Sequence, residues 1–260
     1  MTLTLYAHRL SQPCRAAEIL LRELEVPYEW YEVDFANGQA REPWFADHIN
    51  PFKSLPAIAI TAPDPEPDAG TGESESFLLA ESHAIQHHAC RTAKNQDAAQ
   101  RWYPGDRDPR RSAQIDQWMA WHHNSIRRFD SFHAIMNLHL TLPMLKYEIQ
   151  DTQIRPLQEG LKSGLSMLES HFERQGMGDS SAPTLCGDEH PTLADLSMVC
   201  ELYQIVAIGY RFKGYPRVSQ WIETIASRPH FKDVSAEILD QGRTIREQSG
   251  NYLDLENAFT

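Results

Sequence analysis

The chain has 260 residues, with 24 Lys and Arg against 36 Asp and Glu, and a formal net charge of −12 at pH 7. This acidic balance opposes binding to phosphate backbones, so nucleic acid is excluded as an expected partner. The length allows two domains, each with its own apolar core, and two are expected.

Cysteine usage and the lack of long apolar runs indicate the compartment. The four cysteines are far apart and form no C-x-x-C pair, which argues against a zinc site or a disulfide framework. The first residues show no secretory signal, and no apolar run approaches the roughly 18 residues of a membrane span. A cytoplasmic protein without a membrane partner is therefore predicted.

The first third of the chain alternates strand and helix patterns. Four short apolar stretches predict strands and two amphipathic stretches predict helices. Strands are expected at 3–6, 28–33, 57–60 and 77–79, and helices at 13–24 and 82–92. Residues 61–76, rich in Pro, Gly, Asp and Glu, predict a flexible acidic loop. The order of a β-α-β unit and a ββα unit predicts an α/β domain over residues 1–93.

The remainder of the chain changes character after a polar, turn-rich segment, 94–108, which is predicted to be a linker. Residues 109–260 show 3.6-residue periodicity without a strand signal, which predicts an all-helical domain. Its helices are expected at 110–138, 145–175, 193–208 and 217–227, followed by one from about His230 and a polar tail from Gly242.

The segment Leu10–Arg15 places a hydroxyl and a thiol where the first strand hands over to the first helix. Unpaired N–H groups and the helix dipole make a helix N-terminus favourable for an anion such as a thiolate. Pro13 suits the first helical turn, where its missing N–H costs nothing. Ser11 and Cys14 are therefore candidates for thiol chemistry.

Two further segments lie where loops meet the predicted sheet. Pro56 precedes a strand, and a cis Leu55–Pro56 bond would expose the Leu55 backbone to an extended peptide ligand, although the ordinary trans bond is favoured for any isolated X-Pro bond. Glu81 and Ser82 follow the last strand. Ser82 is expected to be the N-cap of a helix, with Glu81 available to bind an ammonium group, and a plain helix cap is the alternative.

In this order, the three segments follow the layout of a thioredoxin-like domain with a helical domain after it, and the chain resembles a glutathione transferase of the theta class. The resemblance extends from Leu3 to about Trp221. It is carried by Ser11–Arg15, Gly38–Gln39, Glu81–Ser82, Trp102–Pro104, Trp121–Arg127, a capping-box segment at 187–195 and the stretch 201–210.

The resemblance implies a cytoplasmic homodimer that uses glutathione as co-substrate and holds no metal. Ser11 would be the catalytic residue, donating a hydrogen bond that favours the glutathione thiolate for attack on a small electrophile. Dichloromethane dehalogenases look similar through the same segment, which adds halide displacement as an expected reaction. The glutathione-binding residues that it implies are Gln12, Arg41, Lys53, Ser54, Leu55, Pro56, Glu81, Ser82, Asn124 and Arg127.

Within that set, Leu55 would pair with the cysteinyl backbone, and Glu81 and Ser82 would hold the γ-glutamyl end. Lys53 and Arg41 would neutralise the glycyl carboxylate. Theta enzymes often carry histidine where Ala40 stands and lysine where Ser54 stands, so the glycyl contact is where this chain departs from the pattern. Asn124 would reach glutathione across the dimer interface, and Arg127 would lie near the sulfur; exposed polar positions on a long helix are the alternative.

Two rival functions fit the same residues. The first is a glutathione-transferase-fold binding protein with weak catalysis, in which the acidic loop at 61–76 engages a partner. The second is a thiol transferase that depends on Cys14, although a buried Cys that serves only packing is the common case. His83 and His87 have the i,i+4 spacing of helical metal ligands, but without an H-E-x-x-H pattern no metal site is expected.

Overall fold

A computed structural model describes residues 2–35, 37–61, 76–127, 151–175 and 182–249. The chain divides into two compact units, which meet between Tyr103 and Pro104. The first unit combines a sheet with helices, and the described part of the second is helical, so the expected fold class is confirmed. The predicted linker, 94–108, contains an α-helix and a 3-10 helix rather than only turns.

The first unit is built on a four-stranded mixed sheet. Its strands are β1 (Thr2–Ala7), β2 (Glu29–Glu32), β3 (Ala57–Thr61) and β4 (Phe77–Ala80), in the order β2-β1-β3-β4. β1 is parallel to β2 and antiparallel to β3, which is antiparallel to β4. All four predicted strands are present. Of the predicted acidic loop, Thr61 ends β3 and Ser76 precedes β4, and the rest lies outside the described residues.

The described residues of the first unit also form four α-helices. Helices α1 and α3 were predicted and pack against each other, whereas α2 and α4 were not predicted. Their bounds are α1 Gln12–Glu23, α2 Pro43–His48, α3 Ser82–Thr92 and α4 Gln96–Trp102. Beneath the sheet edge, Val33, Ala40, Phe45 and Ala57 form a buried apolar cluster against which Leu55 packs. The residues before β3, including Leu55, are therefore anchored to a close-packed core.

The second unit has six described helices. They are α5 Pro109–Asn124, α6 Asp151–Arg174, α7 Leu193–Ala207, α8 Pro216–Ala226, α9 Pro229–Val234 and α10 Ala236–Ser249, with a 3-10 helix at Gly105–Arg107. Nearly every residue of α7 is buried, because α5, α8 and α10 all pack around it. No helix within the described ranges is long and apolar enough to cross a membrane.

Helix α7 begins at a capping box formed by Thr192 and Asp195, as the sequence predicts. Asp195 Oδ2 accepts hydrogen bonds from the backbone N–H and the hydroxyl of Thr192, both at 2.7 Å. Its Oδ1 accepts from the Leu185 N–H at 2.8 Å and from the Trp221 indole N–H at 2.9 Å. One buried carboxylate therefore joins a loop, the start of α7 and helix α8.

Two helix boundaries of the second unit differ from the prediction. Helix α5 ends at Asn124 rather than continuing to 138, because Ser125 leaves helical geometry with φ −121° and ψ −80°. Residues 128–150, which include the rest of that predicted helix and the start of the next, lie outside the described residues. The predicted polar tail from Gly242 is wrong, because α10 continues helically to Ser249.

Gly242 lies where α10 crosses α7 at close range. A Cβ built at this position would overlap the backbone carbonyl of Ala207 and lie 2.9 Å from the Ala207 Cβ. Since the obstacle is backbone rather than the end of a flexible side chain, only glycine allows this approach. The glycine that suggested a helix end in the sequence therefore serves helix packing.

We expect Gly242→Ala to lower the free energy of unfolding by about 1–3 kcal/mol, because α10 must shift away from α7. The helix propensity of alanine opposes this by about 1 kcal/mol, so a net loss identifies the steric cost. Urea unfolding followed by circular dichroism measures it. Gly214→Ala is the matched control, since nothing lies within 4 Å of a Cβ there. Equal stability of the two variants would contradict the close approach.

Candidate active site

Ser11 is the N-cap of α1, at the end of the loop that leaves β1. Its backbone is extended, with φ −82° and ψ 121°, and its side chain makes no capping hydrogen bond to the helix. The Ser11 N–H donates to the His8 carbonyl at 2.9 Å, and the Leu10 N–H lies 3.2 Å from His8 Nδ1. These bonds fix the loop. The partly exposed Ser11 hydroxyl is not used for capping, so the hydroxyl is suited to bind an anion.

Arg15 fixes the same loop from beneath. Its side chain is fully buried on the first turn of α1, and its Nη1 donates to the carbonyls of Arg9 at 3.0 Å and Leu10 at 3.2 Å. A charge-assisted bond to a backbone carbonyl is stronger than a neutral one. Arg15 therefore determines where the chain turns into Ser11.

Glu18 forms a second support behind the loop. Its carboxylate is buried and accepts from Arg9 in a two-point contact at 3.0 and 3.2 Å, from Arg22 at 2.7 Å and from the Tyr28 hydroxyl at 2.9 Å. The hydrogen bond to Glu18 raises the pKa of Arg9, and burial raises the pKa of Tyr28. A buried carboxylate needs such pairing, so this network ties the loop to α1 and β2.

The Leu55–Pro56 peptide bond is cis and leads directly into β3. The loop before it depends on Asn50, which is fully buried. The Asn50 amide donates to the Ser54 carbonyl at 2.8 Å and approaches the Ser54 hydroxyl at 3.3 Å, while its Oδ1 accepts from the Phe52 N–H at 3.0 Å. Asn50 therefore positions the backbone that precedes Leu55.

Glu81 lies between β4 and α3 with an unusual backbone, φ 68° and ψ 116°. A non-glycine residue with positive φ often marks a functional constraint. Glu81, not Ser82, is the N-cap of α3, so the predicted cap is wrong by one position, and Ser82 is the first helical residue. The Glu81 side chain is exposed and makes no cap bond, whereas Ser82 is buried.

The sheet register brings these loops to one edge. Ala57 pairs with Tyr6 on one side and with Ala80 on the other. Consequently the loop after β1, the residues before β3 and the residues after β4 all leave the sheet at the same end. Ser11, Leu55 and Glu81 are therefore gathered at one pole of the first unit.

The other predicted residues of the first unit are less constrained. Arg41 ends a 3-10 helix (Gln39–Arg41) and is exposed, while Ala40 beside it is buried in the apolar cluster. Lys53 is exposed with φ 57°, and Gln12 is mostly buried in the first turn of α1. Arg41 and Lys53 can thus offer cations without rearrangement of the core.

Asn124 and Arg127 belong to the second unit. Asn124 is the last residue of α5; it is exposed, and its amide donates to the Ala120 carbonyl at 3.2 Å. Arg127 lies in the turn that follows and is partly exposed. Trp221 is fully buried, and its indole N–H donates to Asp195, so it serves the core.

The cysteines offer little nucleophilic character. Cys14 is fully buried. Burial raises the pKa of Cys90 to about 12 and the pKa of Cys186 to about 11, so both thiols are protonated at neutral pH. In the parts of the chain that the structure describes, no group of three or more His, Cys, Asp or Glu side chains is arranged to hold a metal ion.

The buried polar residues beneath the site were missed by the sequence reasoning, which assigned no role to Asn50, Arg15 or Glu18. A weak signal was present for one of them. Glu18 interrupts the apolar run of α1 between Ala17 and Ile19, where a charge needs a partner. Nothing in the sequence identifies Arg9, Arg22 and Tyr28 as those partners.

Comparison with known proteins identifies the family. The family models for the glutathione S-transferase N-terminal and C-terminal domains match residues 1–91 and 126–224. Glutathione S-transferase T1 of Arabidopsis thaliana is 31% identical over 246 residues, covering 92% of this chain and 89% of its own length. Human glutathione S-transferase theta-1 is 30% identical over 243 residues, covering 92% and 90%.

Solved structures agree. The apo form of human glutathione S-transferase T1-1 has a TM-score of 0.71 at 28% identity and covers 95% of each chain. A human theta-class enzyme in complex with the glutathione conjugate of 1-menaphthyl sulfate has a TM-score of 0.73 at 26% identity, covering 96% of this chain and 92% of its own. The chain belongs to the glutathione S-transferase family, and these relatives place it in the theta class.

Proposed function

We propose that this enzyme binds glutathione at the pole that carries Ser11, Leu55 and Glu81, and activates its thiol through the Ser11 hydroxyl. The observation that carries the proposal is the geometry of Ser11, whose hydroxyl lies at a helix N-terminus without a capping bond. The hydroxyl donates a hydrogen bond to the glutathione sulfur, which favours the charged form of the thiol and lowers its pKa.

The decrease in the glutathione thiol pKa that this mechanism requires is modest. A free thiol with a pKa of about 8.5 is only a few per cent ionised at pH 7. A decrease of about 2 pKa units makes it mostly thiolate and corresponds to about 2.7 kcal/mol. One charge-assisted hydrogen bond together with the helix N-terminus supplies an effect of that order.

The thiolate then attacks the electrophilic carbon of a small substrate. A carbon–sulfur bond forms as the bond to the leaving group breaks, and the leaving group departs with the electron pair, as a halide where the substrate is a haloalkane. Ser11 keeps its proton throughout and is not a nucleophile. The electrophile is proposed to bind against the helical unit.

Recognition of glutathione is assigned to the loops of the same pole. The Leu55 backbone pairs with the cysteinyl residue, and Glu81 and Ser82 hold the γ-glutamyl end. The exposed cations Arg41 and Lys53 neutralise the glycyl carboxylate. The remaining contacts to glutathione are assigned to Gln12, Ser54 and Pro56. A homodimer is proposed, in which Asn124 reaches the glutathione of the partner subunit and Arg127 approaches the sulfur.

The test is isothermal titration calorimetry of glutathione into the full chain, together with Glu81→Gln, which removes the carboxylate proposed to bind the γ-glutamyl ammonium. We expect binding to the wild type and at least tenfold weaker binding to the variant, since a charged bond is lost. Glu223→Gln, on the exposed side of α8, controls for the charge change. Absence of binding to the wild type would refute the proposal.

Conjugation is tested in the same samples. Glutathione is incubated with haloalkanes and aryl halides, and conjugate formation and halide release are measured separately. Release of halide in step with conjugate formation supports displacement. Mixed disulfide formation that Cys14→Ala abolishes would favour the thiol-transferase alternative, which the complete burial of Cys14 opposes.

Asn50→Ala is expected to weaken glutathione binding, because the loop before Leu55 loses three hydrogen bonds. The free energy of unfolding should fall by about 1–3 kcal/mol. Asn95→Ala is the matched control: its Oδ1 caps α4 by accepting from the Ala98 N–H at 3.1 Å. It should lose stability but not glutathione affinity. Equal affinity of both variants would show that Asn50 supports only the fold.

A further inference from the structure

The loop that leads from β1 to Ser11 is held by two different groups of His8. The His8 carbonyl accepts from the Ser11 N–H at 2.9 Å, and the ring atom Nδ1 accepts from the Leu10 N–H at 3.2 Å. The His8 side chain is 17% exposed, so the ring is largely sheltered from water. The path of the loop therefore depends on the imidazole as well as on the backbone.

The bond from Leu10 restricts the protonation state of the His8 ring. A ring nitrogen that accepts a hydrogen bond carries no proton, so the proton of the neutral imidazole lies on Nε2. Nε2 is 3.4 Å from Glu32 Oε1. A carboxylate oxygen at this place favours a proton on Nε2, and the partner of one ring nitrogen determines the state of the other. Glu32 therefore favours the tautomer in which Nδ1 can accept from Leu10.

Neighbouring aromatic side chains hold this pair in place. The Trp30 indole N–H donates to Glu32 Oε2 at 2.6 Å, which leaves Oε1 facing His8. The Arg9 guanidinium lies 4.8 Å from the centre of the Trp30 ring. On the other side, the Phe35 ring packs edge-on against the imidazole, with ring centres 4.9 Å apart at 88°. The orientation of the His8 ring is therefore set by two separate contacts.

A second proton on the His8 ring would remove the acceptor. In the imidazolium both nitrogens carry protons, so Nδ1 would place a donor against the Leu10 N–H. Histidine is the side chain that ordinarily changes charge between pH 5 and 8. The charged groups around the ring are the carboxylates of Glu32 and Asp34 and the loop cations Arg9 and Arg15. The carboxylates stabilise the charged ring, so protonation competes with the bond from Leu10.

Given the proposed role of Ser11, on which this inference rests, we propose that His8 is a positioning residue for thiol activation. Its neutral ring holds the Leu10 N–H and thereby fixes the Ser11 hydroxyl at the start of α1. Glu32 keeps the ring in the tautomer that this bond requires. Both residues act through the loop and not by contact with the glutathione sulfur.

The test compares His8→Ala with His8→Asn in the full chain, with the thiolate absorbance of bound glutathione followed against pH. Asparagine Oδ1 can replace Nδ1 as the acceptor for Leu10, whereas alanine offers none. We expect His8→Ala to raise the pKa of the bound thiol by about 0.5–1 unit, a three- to tenfold lower thiolate fraction well below that pKa. His8→Asn should stay within about twofold of the wild type. An unchanged thiol pKa in His8→Ala, or an equal rise in both variants, would overturn the proposal.

The pH profile separates positioning from a purely structural role. In the wild type, log kcat/KM should fall below neutral pH with a slope steeper than one, because the thiolate and the His8 ring each gain a proton. In His8→Asn the slope should be one, since only the thiolate titrates. The same slope in both proteins would show that the charge of His8 does not act on the Ser11 loop.

Glu32→Gln tests the choice of tautomer. If the new amide oxygen keeps the bond from Trp30, its N–H groups face Nε2 and favour a proton on Nδ1. The pKa of the bound thiol should therefore rise in Glu32→Gln but not when the same change is made in His8→Asn. Glu29→Gln, on the exposed part of the same strand, should leave it unchanged. Equal effects of Glu32→Gln in both backgrounds would refute the coupling.

Failure of this proposal and failure of the proposed function give different results. If the wild type binds glutathione without lowering its thiol pKa, or if Ser11→Ala lowers the pKa as the wild type does, thiol activation by Ser11 is refuted. If the wild type lowers the pKa and Ser11→Ala does not, while every His8 variant behaves as the wild type, only the positioning role of His8 is refuted.

Discussion

Replacement of Ser11 by alanine is expected to raise the pKa of enzyme-bound glutathione by about 1–2 units, toward the value of about 8.5 for a free thiol. The hydroxyl makes no capping bond to α1, so its removal leaves the helix start intact. The lost term is the hydrogen bond to the thiolate, worth about 1.4 kcal/mol for each pKa unit. The N-terminus of α1 remains and retains part of the effect.

The consequence for turnover depends on pH. With the proposed bound pKa of about 6.5, the wild type is mostly thiolate at pH 7. A rise of about 1–2 units leaves the variant between about a quarter and a few per cent ionised, so kcat/KM falls by about 3- to 25-fold. Because the lowered pKa favours the anion only below the free value, the difference should shrink as pH rises through about 8.5. Thiolate absorbance and kcat/KM, each measured against pH, test both statements.

Three variants make the result specific. Ser11→Thr keeps a hydroxyl and should retain much of the lowered pKa. Cys14→Ala should retain it fully, since Cys14 is buried behind the first turn of α1. An unchanged thiol pKa in Ser11→Ala would refute the role of the hydroxyl. Loss of activity in Cys14→Ala with full activity in Ser11→Ala would instead establish the thiol-transferase alternative.

The loops of the site were predictable because each carries a short, local signal. Pro13 after Ser11, Pro56 before a β-rich stretch and Glu81-Ser82 after the last strand each mark a transition between elements. The shared pole follows from strand pairing, which places the ends of β1 and β4 beside the start of β3. Local sequence signals and sheet topology are therefore sufficient to predict where these loops lie.

The exact start of α3 and the end of α5 were not predictable in the same way. Sequence preference favours serine as the N-cap, but the backbone at Glu81 has φ 68° and makes that residue the cap. Helix α5 ends without glycine or proline, at Asn124-Ser125. Gly242 shows the reverse case: glycine usually ends a helix, but here it lies within α10 and permits close contact with α7. These features depend on tertiary contacts.

The supports of the site escaped prediction for a related reason. Sequence patterns treat Arg15, Glu18 and Asn50 as surface residues, since charged and amide side chains are mostly exposed. Each is fully buried and hydrogen-bonded to groups that only the folded chain brings near. Hydrogen bonds among buried polar groups fix a loop more uniquely than apolar contact does. The residues proposed to carry the chemistry are therefore simpler to find than those that hold them.

Asp195→Ala is expected to cause the largest loss of stability, about 3–5 kcal/mol in the free energy of unfolding. Asp195 is fully buried and accepts from four donors on three segments, the loop at Leu185, the cap at Thr192 and the indole of Trp221. Its removal leaves these buried donors without an acceptor, and each unsatisfied group costs about 1–3 kcal/mol. Because the structure around the cavity relaxes in part, the total loss in the free energy of unfolding stays below the sum of these individual costs.

Chemical denaturation of matched variants separates this network from a general effect of losing a carboxylate. Asp240→Ala removes an exposed aspartate, 68% accessible, that pairs with Arg243, and should cost less than about 1 kcal/mol. Asp195→Asn keeps one acceptor oxygen but places an amide N–H against a donor, so its loss should be intermediate. Trp221→Phe removes a single donor, and in the Asp195→Ala background it should cost less than alone. Additive losses in the double variant would show that the carboxylate and the indole do not act as a pair.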